Sequence, residues 1–88
     1  MAGIKRLVLD VLIPLNMPSD KLCLKLSAVK GVEGVDVLVQ EVERKVEAAK
    51  ITVEGDNLDF EGIRNVLDES GASLQSLDRI TCGKRIVG

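Results

Sequence analysis

The sequence predicts an α+β two-layer sandwich in which two helices cover one face of a four-stranded antiparallel sheet. Four segments of the chain are rich in Val, Leu and Ile, as strands are. Two other segments repeat apolar residues at spacings of three and four, as amphipathic helices do. Glycine, proline or polar turns separate the segments, whose order is strand, helix, strand, strand, helix, strand.

The composition indicates one small globular domain, which we place at residues 1–88. With 45% hydrophobic and 30% charged residues, the chain lacks the signature of disorder. A domain of this length buries only roughly 60–65% of its unfolded surface. Its stability is therefore modest unless assembly adds to it.

The first strand and the first helix are predicted from different periodicities. Ile4–Ile13 carries apolar residues on both strand faces, which indicates a central strand, and Pro14 ends it. Ser19 can cap a helix that runs to about Val29, before Gly31. The apolar stripe of this helix consists of Leu22, Leu26 and Val29.

Two strands joined by a hairpin are predicted next. Val35–Val42 alternates valines with polar residues, and Val46–Glu54 returns with Ile51 and Val53 on one face. Residues 43–45 between them are polar and lack glycine, so we expect a hairpin loop of more than two residues.

The second helix is predicted to begin after Asp59, its N-cap, and to end before Gly71. Its apolar stripe consists of Phe60, Ile63, Val66 and Leu67. The last strand, Ala72–Cys82, spaces its apolar residues by three, which indicates a β-bulge. Two strand–helix–strand halves that cross over right-handedly then interlock in the ferredoxin-like arrangement.

A family resemblance extends over nearly the whole chain. The sequence contains LVLDVL, GVEGVDV, NLDFEGI and GASLQSLD, in this order and spacing. These stretches closely resemble an uncharacterised archaeal family, number 211 among the domains of unknown function, most specifically at residues 58–60 and 76–78. The resemblance implies a ferredoxin-like fold, a cytoplasmic archaeal protein and multi-subunit ring assemblies, and it carries no established activity.

The net charge and the absence of targeting signals limit the classes of partner that the chain can have. The net charge is −2, so the chain lacks the positive field that holds nucleic acid or anionic membrane. Its apolar start contains Asp10 and lacks the cleavage site of a secretory signal, and no apolar run approaches the ~20 residues of a membrane span. We therefore expect a cytoplasmic protein with neither a nucleic-acid nor a membrane partner.

The residue types that the chain lacks limit the reactions that it can catalyse. The chain contains no His, which is the commonest general base and nitrogen metal ligand. Ser-His-Asp and Cys-His nucleophiles are thus impossible within one chain. The sequence also lacks a Gly-rich phosphate loop and the sheet aromatics on which RNA-recognition modules stack bases. We predict a protein that is not an enzyme.

Two features that suggest sites have simpler interpretations. Cys23 and Cys82 are expected toward opposite ends of the fold, as packed or edge thiols rather than a disulfide. The stretch Asn57–Gly62 resembles part of a calcium loop, but its first position is not Asp. The helix that Asp59 caps explains the same residues.

Asp10 interrupts an otherwise apolar central strand. Since the first and last strands are antiparallel neighbours in this fold, residue 78 should lie roughly opposite residues 8 to 10. We predict that Asp10 and Asp78 form a small acidic site for a divalent cation or a polar ligand, with no other cofactor. The alternative is an ion pair, in which Lys50 or Arg79 neutralises the same carboxylates.

Assembly is predicted from the sheet face that the helices leave open. Aliphatic side chains left in contact with water on that face would lose a hydrophobic stabilisation of roughly 25 cal/mol per Å² of exposed area. We therefore expect them to mark a homo-oligomer interface. The predicted interface residues are Val8, Leu12, Leu38 and Val42. The predicted function is accordingly a non-enzymatic, self-assembling protein with a possible ligand or cation site at its subunit interfaces, and the family resemblance implies that the assembly is a ring. The alternative is a small-molecule-sensing module resembling amino-acid-binding ferredoxin-like domains, with GVEGVDV and residues 14–19 near the ligand.

Overall fold

The structure is a computed structural model that describes residues 3–87. Its element order confirms the predicted α+β fold of the ferredoxin-like type. The strands are β1 (Gly3–Pro14), β2 (Val32–Val42), β3 (Val46–Gly55) and β4 (Ser73–Gly83), and the helices are α1 (Ser19–Ser27) and α2 (Phe60–Glu69).

The sheet has the strand order β2-β3-β1-β4, and each neighbouring pair is antiparallel. The central position predicted for the first strand is therefore confirmed. Within residues 3–87, β2 and β4 form the two edges of the sheet. The buried apolar residues of the sheet accordingly come from the central strands β1 and β3.

One face of the sheet holds the hydrophobic core. Alternate residues of β1 and β3 point into it, and buried side chains of both helices join the same cluster. Both helices therefore cover the same sheet face. Burial of each such side chain contributes about 1.5–3 kcal/mol relative to leaving it exposed. The largest fully buried side chains are Leu7, Leu9, Val11, Ile13, Leu22, Leu26, Ile51, Val53, Ile63 and Leu67.

The helix ends agree with the sequence prediction at α2 and differ from it at α1. Asp59 caps α2, because its carboxylate accepts a hydrogen bond from the backbone N–H of Gly62 at 3.1 Å. Gly71 follows α2 with a positive φ of 75°. Ser19, predicted as the cap of α1, is instead its first residue, since the extended Pro18 occupies the N-cap position.

Candidate functional site

Three strands meet at a polar cluster on the sheet face that the helices leave open. We call it the carboxylate node, and it consists of Asp10 of β1, Lys50 of β3, and Ser76 and Asp78 of β4. Asp10 lies directly opposite Lys50 on one side and opposite Ser76 on the other. Cross-strand partners share a face of the sheet, so these side chains gather on one side.

Lys50 joins the two acidic residues of the carboxylate node. Its Nζ lies 2.7 Å from Oδ2 of Asp78 and 3.4 Å from Oδ1 of Asp10. Oγ of Ser76 lies 2.8 Å from Oδ1 of Asp78 and 3.2 Å from Oδ2 of Asp10. A hydroxyl has one proton, so Ser76 donates to one carboxylate at a time. The ammonium and the hydroxyl together hold the carboxylates side by side.

The predicted approach of residue 78 to β1 is confirmed, and so is the predicted bulge. Val8 pairs with Arg79 and the next residue, Leu9, pairs with Leu77, so Asp78 is the extra residue between two pairs. Sequence reasoning missed the hydroxyl of the node. The signal was present in the S-x-D spacing, since residues two apart on a strand share a face.

Contacts within the carboxylate node shift the pKa values of one acidic and one basic side chain. The hydrogen bond from Lys50, together with that from Ser76, lowers the pKa of Asp78 below its ordinary value of 3.8. The hydrogen bond to Asp78, partly opposed by desolvation, raises the pKa of Lys50 above its ordinary value of 10.5. Both groups are therefore charged throughout the neutral pH range.

The electrostatics of the node match the ion-pair alternative. Lys50 supplies one positive charge to two carboxylates, in the place where a cation would bind. Among residues 3–87, no group of three or more His, Cys, Asp or Glu side chains is placed to hold a metal ion. A hard cation would have to displace the ammonium or take further oxygen ligands from another molecule.

The lowered pKa of Asp78 leads to a prediction about acid stability. Its contribution is fully present above the unfolded pKa of 3.8 and is lost as the pH falls through the lower folded pKa. We expect Asp78→Asn to flatten the fall in stability between about pH 5 and pH 2, measured by urea denaturation. Glu43→Gln, in the exposed hairpin turn, should leave that fall steep. Identical pH profiles for the two variants would contradict the prediction.

The apolar residues predicted on the open face do not form a continuous patch. Val8 and Leu12 are half-buried, whereas Leu38 is 56% exposed near the β2 edge. The same face carries an ion pair between Arg6 and Glu54, at 2.8 Å, as well as the carboxylate node. Charged residues therefore alternate with the aliphatic ones on this face, and the interface predicted there stays a prediction.

Val42, the fourth predicted interface residue, does not share this face. It lies opposite Glu47 in the hairpin, and Glu47 in turn lies opposite the buried Ile13. The register of β2 against β3 shifts between Val39 and Glu41, which moves the following residue to the other side. This shift, which the sequence pattern did not reveal, explains the error.

Exposed apolar surface lies instead along β4. Residues 75–80 are all exposed, including Leu77 at 41% and Ile80 at 49%. They pair with Leu9 and Leu7 and so lie on the helix side of the sheet, yet the helices leave them accessible. The sequence showed their spacing but not how far the helices reach.

The cysteines and the calcium-like stretch occupy ordinary structural positions. Cys23 of α1 is half-buried, with its Sγ 3.7 Å from the carbonyl oxygen of Val35. Cys82 is exposed on β4, and both thiols are free. In the calcium-like stretch, Asn57 forms the turn with a φ of 54°, and Asp59 caps α2. The cap accounts for the acidic residue, as the sequence predicted.

Comparison with known proteins identifies the family of this fold. The model of a family described as Uncharacterized ArCR, number 211 among the domains of unknown function, matches residues 5–88. The chain belongs to this family. An uncharacterized protein of Methanocaldococcus jannaschii is 37% identical over 87 residues, which cover 99% of this chain and 90% of the relative. The resemblance seen in the sequence is thereby confirmed.

The ArCR family match includes the whole carboxylate node and both sheet edges, since they lie within residues 5–88. No helix within residues 3–87 combines the length and the apolar character needed to cross a membrane.

Proposed function

We propose that this ArCR-family chain is a self-assembling, non-enzymatic cytoplasmic protein whose copies join into a ring. The observation that carries the proposal is the exposed apolar surface of β4, where Leu77 and Ile80 remain 41% and 49% exposed. At roughly 25 cal/mol per Å², covering such side chains favours association. A domain that buries only roughly 60–65% of its unfolded surface gains stability in this way.

The edges of the sheet supply further surface for association. Within residues 3–87, the outer edges of β2 and β4 have no strand partner. Unpaired backbone N–H and C=O groups on an edge are a template for another chain. Leu38 adds exposed apolar area beside the β2 edge. Both edges therefore support contact between copies.

The carboxylate node supports a ligand site only as part of such an assembly. Its two carboxylates share one ammonium, and the side chains of these three charged residues are 30–38% exposed. A second copy could add the oxygen ligands that a hard cation or an amine requires. We therefore propose that any cation or polar ligand binds at a subunit interface rather than to the single chain.

A cleft on the open face favours small-molecule sensing as a second function. Its volume is about 310 Å³, and it contains part of the GVEGVDV stretch, where a ligand was predicted. It offers the Asp36 carboxylate and the Thr52 hydroxyl beside apolar surface, together with the Glu54 carboxylate that pairs with Arg6, which suits an amine-bearing ligand. The lining residues are Gly34, Val35, Asp36, Thr52 and Glu54.

The other segment predicted near the ligand, residues 14–19, lies at the opposite end of the sheet. Gly34 and Arg6 are both partners of Glu54, whereas β1 ends at Pro14. The two segments therefore do not adjoin within one copy. Only one of the two predicted parts of the ligand site lies at the cleft, which ranks sensing second.

Sedimentation or light scattering over a range of concentrations tests the assembly. We expect a mass several times 9.5 kDa at micromolar concentration. The double variant Leu77→Asp/Ile80→Asp should fall to the monomer mass, while Leu24→Asp, at a residue 69% exposed on α1, should keep the wild-type mass. A wild type that stays at the monomer mass would refute the proposal.

A thermal-shift screen separates the two functions. Amino acids, calcium and magnesium are added to the assembled protein, since a ligand that binds the folded state raises the melting temperature. A rise with an amino acid, lost in Asp36→Asn, would favour sensing. A rise with a divalent ion, lost in Asp10→Asn, would favour an interface cation site.

A further inference from the structure

We infer that the β4 edge of one copy pairs with the β2 edge of the next copy, head to tail, and this inference rests on the proposed self-assembly. The first observation is the charge of β2. Val32–Val42 contains Glu33, Asp36 and Glu41 and no Lys or Arg. All three carboxylates belong to exposed residues, so the β2 edge is acidic.

The opposite edge of the sheet is basic. β4 and the two residues that follow it contain three exposed cations, Arg79, Lys84 and Arg85, against one carboxylate, Asp78. Lys50 already binds that carboxylate on its own sheet face. Over the matching stretch of β2 and the residues that follow it, 32–45, four carboxylates stand against two cations. The two edges of one molecule are therefore complementary in charge, which favours contact between different edges.

Strand direction permits this pairing without turning either copy over. Because every neighbouring pair of strands is antiparallel, the edge strands β2 and β4 run in opposite directions. A second copy placed beside the first in the same orientation sets its β2 antiparallel to β4. The combined sheet keeps its alternation and all helices on one side. β2 and β4 are each 11 residues long, so their lengths match.

One line of paired residues across the four strands ends in a cation at the β4 edge and in a carboxylate at the β2 edge. Arg79 pairs with Val8, Val8 pairs with Thr52, and Thr52 pairs with Asp36. Arg79 therefore stands at one end of the row and Asp36 at the other. In neighbouring copies without stagger, Arg79 lies beside Asp36 of the next copy. Opposite charges in cross-strand positions stabilise the pairing.

The two self-pairings fit these observations less well. Pairing β2 with β2 would set acidic strands against each other, and like charges opposite one another destabilise a sheet. Pairing β4 with β4 would end at a dimer and leave β2 uncovered. Head-to-tail contact uses both edges of every copy and forms a ring when the rotation closes.

Charge reversal on each edge tests the inference. The β2-reversed variant is Glu33→Lys/Asp36→Lys, and the β4-reversed variant is Arg79→Glu/Lys84→Glu. Each has two edges of like charge, so we expect the mass of each alone to fall to 9.5 kDa where the wild type is assembled. An equimolar mixture should reassemble, because each reversed edge then meets an opposite one when the two variants alternate; the wild-type mass returns where the ring has an even number of copies.

The matched control reverses two cations away from both edges, in Lys21→Glu/Lys25→Glu on the exposed side of α1. It should assemble as the wild type does, and circular dichroism should show every variant folded. An assembled wild type whose mass survives either reversal, or reversed variants that fail to reassemble when mixed, would overturn the inference and leave self-assembly standing. A monomeric wild type would overturn both.

Discussion

Gly55→Ala should destabilise the fold by about 3 kcal/mol, although it adds a single methyl group. An alanine Cβ at this position would lie far inside van der Waals contact with the carbonyl oxygen of Gly31. That oxygen is held in place, because it accepts a hydrogen bond from the N–H of Asp56 at 3.0 Å. Gly31 itself has a φ of 87°. The added Cβ is attached to one backbone segment and the oxygen belongs to another, so no side-chain rotation can separate them. Only displacement of a strand end relieves the clash.

Gly34→Ala on β2 is the matched control for this substitution. A Cβ at Gly34 would meet no atom within 4 Å. We expect stability to rise by about 0.4–1 kcal/mol, because alanine restricts the unfolded chain more than glycine does. Urea denaturation at equal protein concentrations measures both changes. Small stability changes of the same sign for the two variants would contradict the close contact between Gly55 and the carbonyl oxygen of Gly31.

The close approach of Gly31 and Gly55 illustrates what a local pattern cannot predict. The sequence predicts that α1 stops before Gly31 and that the third strand ends before Gly55, and each of these roles is local. The contact between the two glycines arises where the β2–β3 ladder ends, since Val32, which follows Gly31, pairs with Gly55. That contact depends on the register of the two strands, which local periodicity does not encode.

The carboxylate node was largely predictable, for a physical reason. Strand periodicity assigns faces, and the fold makes β1 a neighbour of both β3 and β4, so Asp10, Lys50 and Asp78 were expected on adjacent strands within a residue or two of one another. The pairing partners within β4 were not predictable. Register shifts follow Val8 and Asp10 along β1, and a bulge changes every later pairing without altering composition.

For the predicted interface, too, the sequence pattern indicates which residues are apolar but not which face of the sheet they occupy. Leu38 is exposed as expected, whereas Val42 is on the other side because a register shift precedes it. Exposure of Leu77 and Ile80 depends on how far the helices extend over the edge strand. Helix reach is a property of packing, which the spacing of apolar residues does not determine.

Truncation of the core at Ile51 should have an effect of similar size to the glycine clash. Ile51 is fully buried at the centre of β3, between Leu9 of β1 and Val37 of β2. Ile51→Ala should cost about 2–5 kcal/mol, because it removes buried methylenes and leaves a cavity. At about 0.05–0.15 kcal/mol per residue, a chain of this size is stable by only about 4–13 kcal/mol. The variant should therefore unfold at much lower urea concentration than the wild type.

Two further variants show whether that loss arises from burial. Ile51→Val keeps most of the side chain and should cost about 0.5–1.5 kcal/mol. Leu24→Ala, at a residue 69% exposed on α1, should change stability by no more than about 0.5 kcal/mol. All unfolding curves must be compared at one protein concentration, since association adds to the apparent stability of the folded state. Losses that do not increase from Leu24→Ala through Ile51→Val to Ile51→Ala would contradict the position of Ile51 in the core.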